Sequence, residues 1–99
     1  MTKEKCMQVL AMYKRLLIEK DIPPEGAIHE IPCPTLKENV FMHLHSMIYE
    51  MEGFLEEGRT EKFMRWLGFI QGCFWTSGKF TLEELMNHNR PTENLFPSE

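Results

Sequence analysis

The chain has 99 residues, of which 42% are hydrophobic, 11% aromatic and 26% charged; that is enough for one domain with a modest core, and it excludes a multidomain enzyme and a disordered tail. The formal charge of −4, from 11 Lys+Arg against 15 Asp+Glu, supplies no long-range pull on DNA, RNA or an anionic membrane, so neither polymeric nucleic acid nor a membrane is an expected partner. A small anion held by a few local cations stays possible, and three widely spaced cysteines, Cys6, Cys33 and Cys73, point to reduced thiols in a cytoplasmic compartment.

Residues Thr2 to Lys20 repeat apolar side chains at Cys6, Val9/Leu10, Tyr13 and Leu16/Leu17, which predicts an amphipathic first helix. Gln8, Lys14 and Arg15 interrupt this stretch before it could act as a signal segment, and no run approaches the roughly 18 apolar residues of a membrane span. A Pro-rich loop follows from Asp21 to Thr35, with Pro23, Pro24, Gly26, Pro32 and Pro34 opposing helix. Ile22, Ile28, Ile31 and Cys33 between those prolines imply that the loop packs against the domain.

A second helix is predicted from Leu36 to Glu57, with Gly58 as its terminator. Thr60 is the expected cap of a third helix running to Ser77, again followed by a glycine, Gly78. Thr81-Leu82-Glu83-Glu84 has capping-box spacing and starts a last short helix that ends near Asn89, before Pro91. The expected architecture is all-α: one helical domain over residues 1–99, with an irregular tail from 90 to 99.

The third helix carries more apolar surface than a four-helix protomer can cover. Phe63, Trp66, Leu67, Ile70, Cys73 and Phe74 form one broad face, and Met64, Phe69 and Trp75 extend onto the rest. Part of this helix is therefore expected to meet another subunit. Gly68 and Gly72 share one face and would allow a close approach by a backbone or a flat ligand, or close packing within the protomer.

Metal chemistry finds little in the histidines. His43 and His45, two apart on a helix, point to different sides, and His29 with Cys33 makes one pair without further ligands. One of His43 and His45 is expected to be half-buried near the loop. No nucleophile signature or acid/base pair calls for an enzyme, and no cofactor is expected; Glu50, Glu52, Glu56, Glu57 and Glu61 read as a solvated face. Arg59, Lys62 and Arg65 at the start of the third helix could hold a phosphate, with an ordinary salt-bridged surface through Glu61 and Arg65 as the alternative. Tyr13 could pack its ring and turn its hydroxyl to a ligand or a neighbouring chain, and Gly26 and His29 could present a backbone N–H and an imidazole to phosphate.

The segment Glu57-Gly58-Arg59-Thr60-Glu61-Lys62-Phe63-Met64-Arg65-Trp66-Leu67-Gly68-Phe69-Ile70-Gln71-Gly72, with Phe74-Trp75 and Thr81-Leu82-Glu83-Glu84-Leu85, resembles a family of small phage proteins, the anti-CBASS cyclic-oligonucleotide sponges. His43-Leu44-His45-Ser46-Met47 and Ile31-Pro32-Cys33-Pro34 are similar as well. The resemblance covers roughly the C-terminal two-thirds, and the first helix loosely. It implies a helical protomer assembled into a hexamer that sequesters cyclic dinucleotides between paired protomers, and cyclic trinucleotides where three protomers meet, without cleaving them. Arg65 matches the arginine of the family's R-W-L-G-F block and is the implied phosphate contact of the threefold pocket. The implied setting is the cytoplasm of an infected bacterial host. The rival expectations are a helical adaptor that binds another protein through its apolar surface, and an enzyme that degrades the nucleotide.

Overall fold

The computed structural model describes residues 1–25, 32, 36–91, 93 and 95. Its four helices are α1 (Lys3–Glu19), α2 (Lys37–Glu56), α3 (Thr60–Thr76) and α4 (Leu82–Asn89), with no strand among the described residues. Helix α2 packs against both α1 and α3, and α4 closes the other side against α1 and α3. None of the described helices is long and apolar enough to cross a membrane.

Three helix ends are built alike. At the end of α2, Gly58 takes φ 73°, its N–H donates to Leu55 O at 3.2 Å, and Arg59 N–H donates to Phe54 O at 2.8 Å. This pair of bonds is a Schellman motif, which satisfies the last carbonyls of the helix and needs a left-handed residue. At the end of α3, Gly78 (φ 79°) repeats the pattern, with Gly78 N–H to Trp75 O at 3.0 Å and Lys79 N–H to Phe74 O at 2.8 Å. Helix α1 ends in the same way on Asp21 (φ 57°), and the following Ile22 is buried and bonded to Leu17 O at 3.0 Å. Asp tolerates the left-handed region better than most residues, so a glycine is dispensable there.

The α2–α3 motif corrects one expectation. Thr60 is the first helical residue, and Arg59 occupies the N-cap position without a side-chain cap. Arg59 is already fixed by its bond to Phe54 O, so the last residue of one motif is the N-cap of the next helix and Thr60 falls inside that helix. The capping box of α4 forms as its spacing predicts. Thr81 Oγ1 accepts from Glu84 N at 3.1 Å, and Glu84 Oε1 accepts from Thr81 N at 3.0 Å.

The core gathers Val9, Tyr13 and Leu17 of α1, Leu44, Ile48 and Met51 of α2, and Phe63, Leu67, Ile70 and Phe74 of α3, all essentially without solvent contact. Phe74 sits at its aromatic centre, with ring centroids 4.9 Å from Tyr13, 5.8 Å from Phe41 and 5.5 Å from Phe80. The chain after α4 is tied back to α1: Lys5 is buried, its Nζ donating to Glu93 O at 2.6 Å and to Gln8 Oε1 at 3.2 Å. Leu95 is partly buried and packs against the core.

His43 and His45 are both buried, more deeply than expected and despite their two-residue spacing. His45 Nδ1–H donates to Ile22 O at 2.7 Å, which anchors the chain leaving α1, and its ring stacks on Tyr49. Its Nε2 is buried and lacks a partner among the described residues. No group of three metal-ligand side chains is found among the described residues. Cys6 is a buried free thiol, and burial pushes it above its ordinary pKa, which disfavours the nucleophilic thiolate.

Candidate ligand-binding face of the third helix

The inner face of α3 is filled by Phe63, Leu67, Ile70 and Phe74, and the outer face is left to solvent. Phe69 is 52% exposed and Trp75 50%, and Met64 is exposed beside them. Gly68 and Gly72 lie on this outer side, where a Cβ added at either would meet nothing within 4 Å. The two glycines are therefore not required by packing inside the protomer. What they provide is a shallow strip of bare backbone flanked by large apolar side chains.

Arg65 stands on that same strip. The positions 65, 68, 69 and 72 follow the i, i+3, i+4, i+7 rule of one helix face, and all four are exposed. The Arg65 side chain is 64% exposed and its Nη1 lies 3.8 Å from Glu61 Oε1, a solvated i,i+4 contact that contributes little stability. A guanidinium so placed keeps most of its donors available for an incoming anion.

Arg59 and Lys62 take another direction. Arg59 lies over the Phe54 ring at 5.3 Å and 3.9 Å from Glu57, while Lys62 Nζ sits 4.7 Å from the Phe54 centroid and 5.6 Å from Trp66. Phe54 and Trp66 meet edge to face at 4.8 Å and form the platform for both cations. The three cations thus do not form one cluster: two rest on aromatic rings at the α2–α3 corner and the third faces outward.

Tyr13 is placed differently from the expectation of a ligand-facing hydroxyl. It is 0% exposed, and its hydroxyl meets protein groups on two other helices. Gln71 Nε2–H donates to Tyr13 Oη at 3.0 Å, and the same hydroxyl is hydrogen-bonded to His88 Nδ1 at 2.9 Å. Gln71 and Asn89 exchange two amide hydrogen bonds of 2.9 and 3.1 Å beside them. Burial pushes the Tyr13 hydroxyl up to about 12, with the Gln71 bond pulling the other way, and burial likewise holds His88 below its ordinary value against the charge of Glu84. This cluster locks α4 to α1 and α3. Gly26 and His29 lie outside the described residues.

No family model matches the chain, and no curated protein or solved structure is significantly similar to it.

The outer strip of α3 continues onto α4. A groove of about 230 Å³ runs between Gly72 and Trp75 on one side and Leu82 and Met86 on the other, with Gln71 and Asn89 in its lining. Leu82 and Met86 are both more than half exposed. Sequence spacing identified Met64, Phe69 and Trp75 as surplus apolar groups; it gave no sign of Leu82 and Met86, because a short helix with few apolar residues does not reveal which of them the core will take.

Proposed function

We propose that the protein binds and sequesters cyclic di- and trinucleotides without cleaving them, in the manner of the anti-CBASS sponges that its sequence resembles, within an infected bacterial cell. The observation that carries this reading is the outer strip of α3, where an exposed arginine borders bare backbone at Gly68 and Gly72 and the Phe69 ring. A phosphodiester needs a forked donor, and a base needs a flat apolar neighbour or a surface without side chains; the strip offers both.

One exposed arginine in water is worth too little for sequestration. The apolar side chains around Arg65 supply the remedy if copies of the chain pack there, enclosing the guanidinium and repeating it by symmetry. The proposed assembly is a homo-oligomer, a hexamer by the resemblance, and Arg65 is its phosphate contact. Arg59, Lys62 and the segment with Gly26 and His29 are secondary candidates, while Tyr13 acts from inside as a strut for α4.

A second reading draws on the α3–α4 groove. Trp75, Leu82 and Met86 around a shallow channel suit an apolar helix of another protein, which would make the chain an adaptor. Isothermal titration with a panel of cyclic di- and trinucleotides, followed by heat denaturation and identification of the released molecule, separates the readings. The sponge binds tightly and releases intact ligand, and Arg65→Ala lowers that affinity while the assembly persists. Absence of binding by folded protein across the panel would leave the adaptor, and a cleaved product would leave the enzyme.

A further inference from the structure

A second concentration of positive charge lies at the opposite end of α3 from Arg65. The groove between the C-terminal half of α1 and the residues after α3 has a volume of about 490 Å³ and is lined by Arg15, Lys20 and Lys79. Its other side chains are the apolar Met12, Leu16 and Leu95 and a single carboxylate, Glu19. The volume falls within the range of about 300–1,000 Å³ found for small-molecule sites.

Two helix ends build this groove. Lys20 is the C-cap of α1, and Lys79 is fixed by the closing bond of the α3 motif, from its N–H to Phe74 O at 2.8 Å. Lys20 and Lys79 thereby line one groove, together with Arg15. Lys79 is held below the ordinary lysine pKa, first by burial, then by the charge and contact of Lys20, with Glu84 opposing. Among the described residues neither lysine forms an ion pair with a carboxylate. Holding two like charges together costs free energy in the empty protein, and a chain with 15 acidic residues has no shortage of carboxylates to place there.

We propose that this groove is an anion site for the phosphate groups of a small nucleotide, with Lys20, Lys79 and Arg15 holding phosphate oxygens and Met12, Leu16 and Leu95 receiving the base. A bridging phosphate turns the repulsion between the two lysines into two charge-assisted hydrogen bonds. Arg65 and the end of α3 at Thr76, beyond which Lys79 lies, are about 16 Å apart along the helix axis at 1.5 Å per residue, so the site stands independently of the sponge reading.

The probes are ADP and inorganic pyrophosphate, titrated calorimetrically into the full chain at two salt concentrations. Both are expected to bind, ADP more tightly, with affinity falling as salt rises because the contacts are ionic. Lys20→Met and Lys79→Met each weaken binding by roughly tenfold or more, the scale of one charge-assisted hydrogen bond, while Arg65→Ala leaves it unchanged. In the wild-type protein, ADP shifts the Nζ signals of Lys20 and Lys79 in nuclear magnetic resonance, which keeps the site testable if a variant fails to fold. The proposal is overturned if folded wild type binds neither probe, if those signals do not move, or if the folded lysine variants bind as tightly as wild type.

Discussion

The two faces of α3 are made of similar side chains and have opposite fates. Phe63, Leu67, Ile70 and Phe74 are sealed in the core, while Met64, Phe69 and Trp75, a fraction of a turn away, stand in water. Burial of the inner group follows from the geometry of four helices, since α2 and α4 cover that side. The outer group is only partly covered by the protomer, and exposing large apolar side chains beside bare glycine backbone favours self-association or ligand capture. The contrast separates what holds the protomer together from what the protomer offers to others.

Substitutions can break this contrast from the inside. Phe74→Ala removes the ring on which Tyr13, Phe41 and Phe80 converge, and is expected to cost about 3–5 kcal/mol in chemical denaturation, enough to threaten folding of a domain this small. Tyr13→Phe keeps the packing and leaves Gln71 and His88 without the hydroxyl, for an expected loss of about 1–3 kcal/mol, read as a lower denaturation midpoint with an unchanged slope. A midpoint equal to that of wild type would show that the Tyr13 hydroxyl is not part of the α4 lock.

The same lock should respond to acid. His88 has a folded-state pKa below its unfolded value because burial disfavours the imidazolium. The unfolded chain therefore takes up the proton first, and stability is full above about pH 6.5 and declines as pH falls from there through the folded value. Thermal melts across that window should show the decline, and His88→Gln should flatten it.

On the outer face the expected effect on the protomer is the smallest. Phe69→Ser and Trp75→Ser should each cost the protomer only about 1 kcal/mol, since about half of each ring is already in water, yet weaken self-association measured by light scattering. A large stability loss with unchanged mass would mean that these side chains are structural after all, and the distinction between the faces would fail.

Helix positions were legible because their signals are local. The periodicity of α1 and α2, the glycines at 58 and 78 and the Thr81–Glu84 box each depend on a few adjacent residues, and each appears where spacing places it. Asp21 ends α1 without the usual glycine, and Arg59 rather than Thr60 opens α3, because one residue serves two motifs. The sidedness of α3 could be read from its helical wheel, but which side stays wet depends on how many helices are available to cover it. The Tyr13–His88–Gln71–Asn89 cluster and the groove that Lys20 and Lys79 both line join residues far apart in the chain, and no local pattern encodes either. Of the candidate site, Arg65 as a candidate phosphate contact and the shared face of Gly68 and Gly72 were legible, whereas the alignment of that arginine with the two glycines and the enclosure of Tyr13 were not.

The central claim is that the outer face of α3 joins copies of this chain around a cyclic nucleotide. Native mass spectrometry of the purified protein with a cyclic trinucleotide tests it most directly. The account predicts a homo-oligomer carrying intact ligand, with the ligand signal much reduced in Arg65→Ala. A folded monomer that carries no cyclic nucleotide would contradict it.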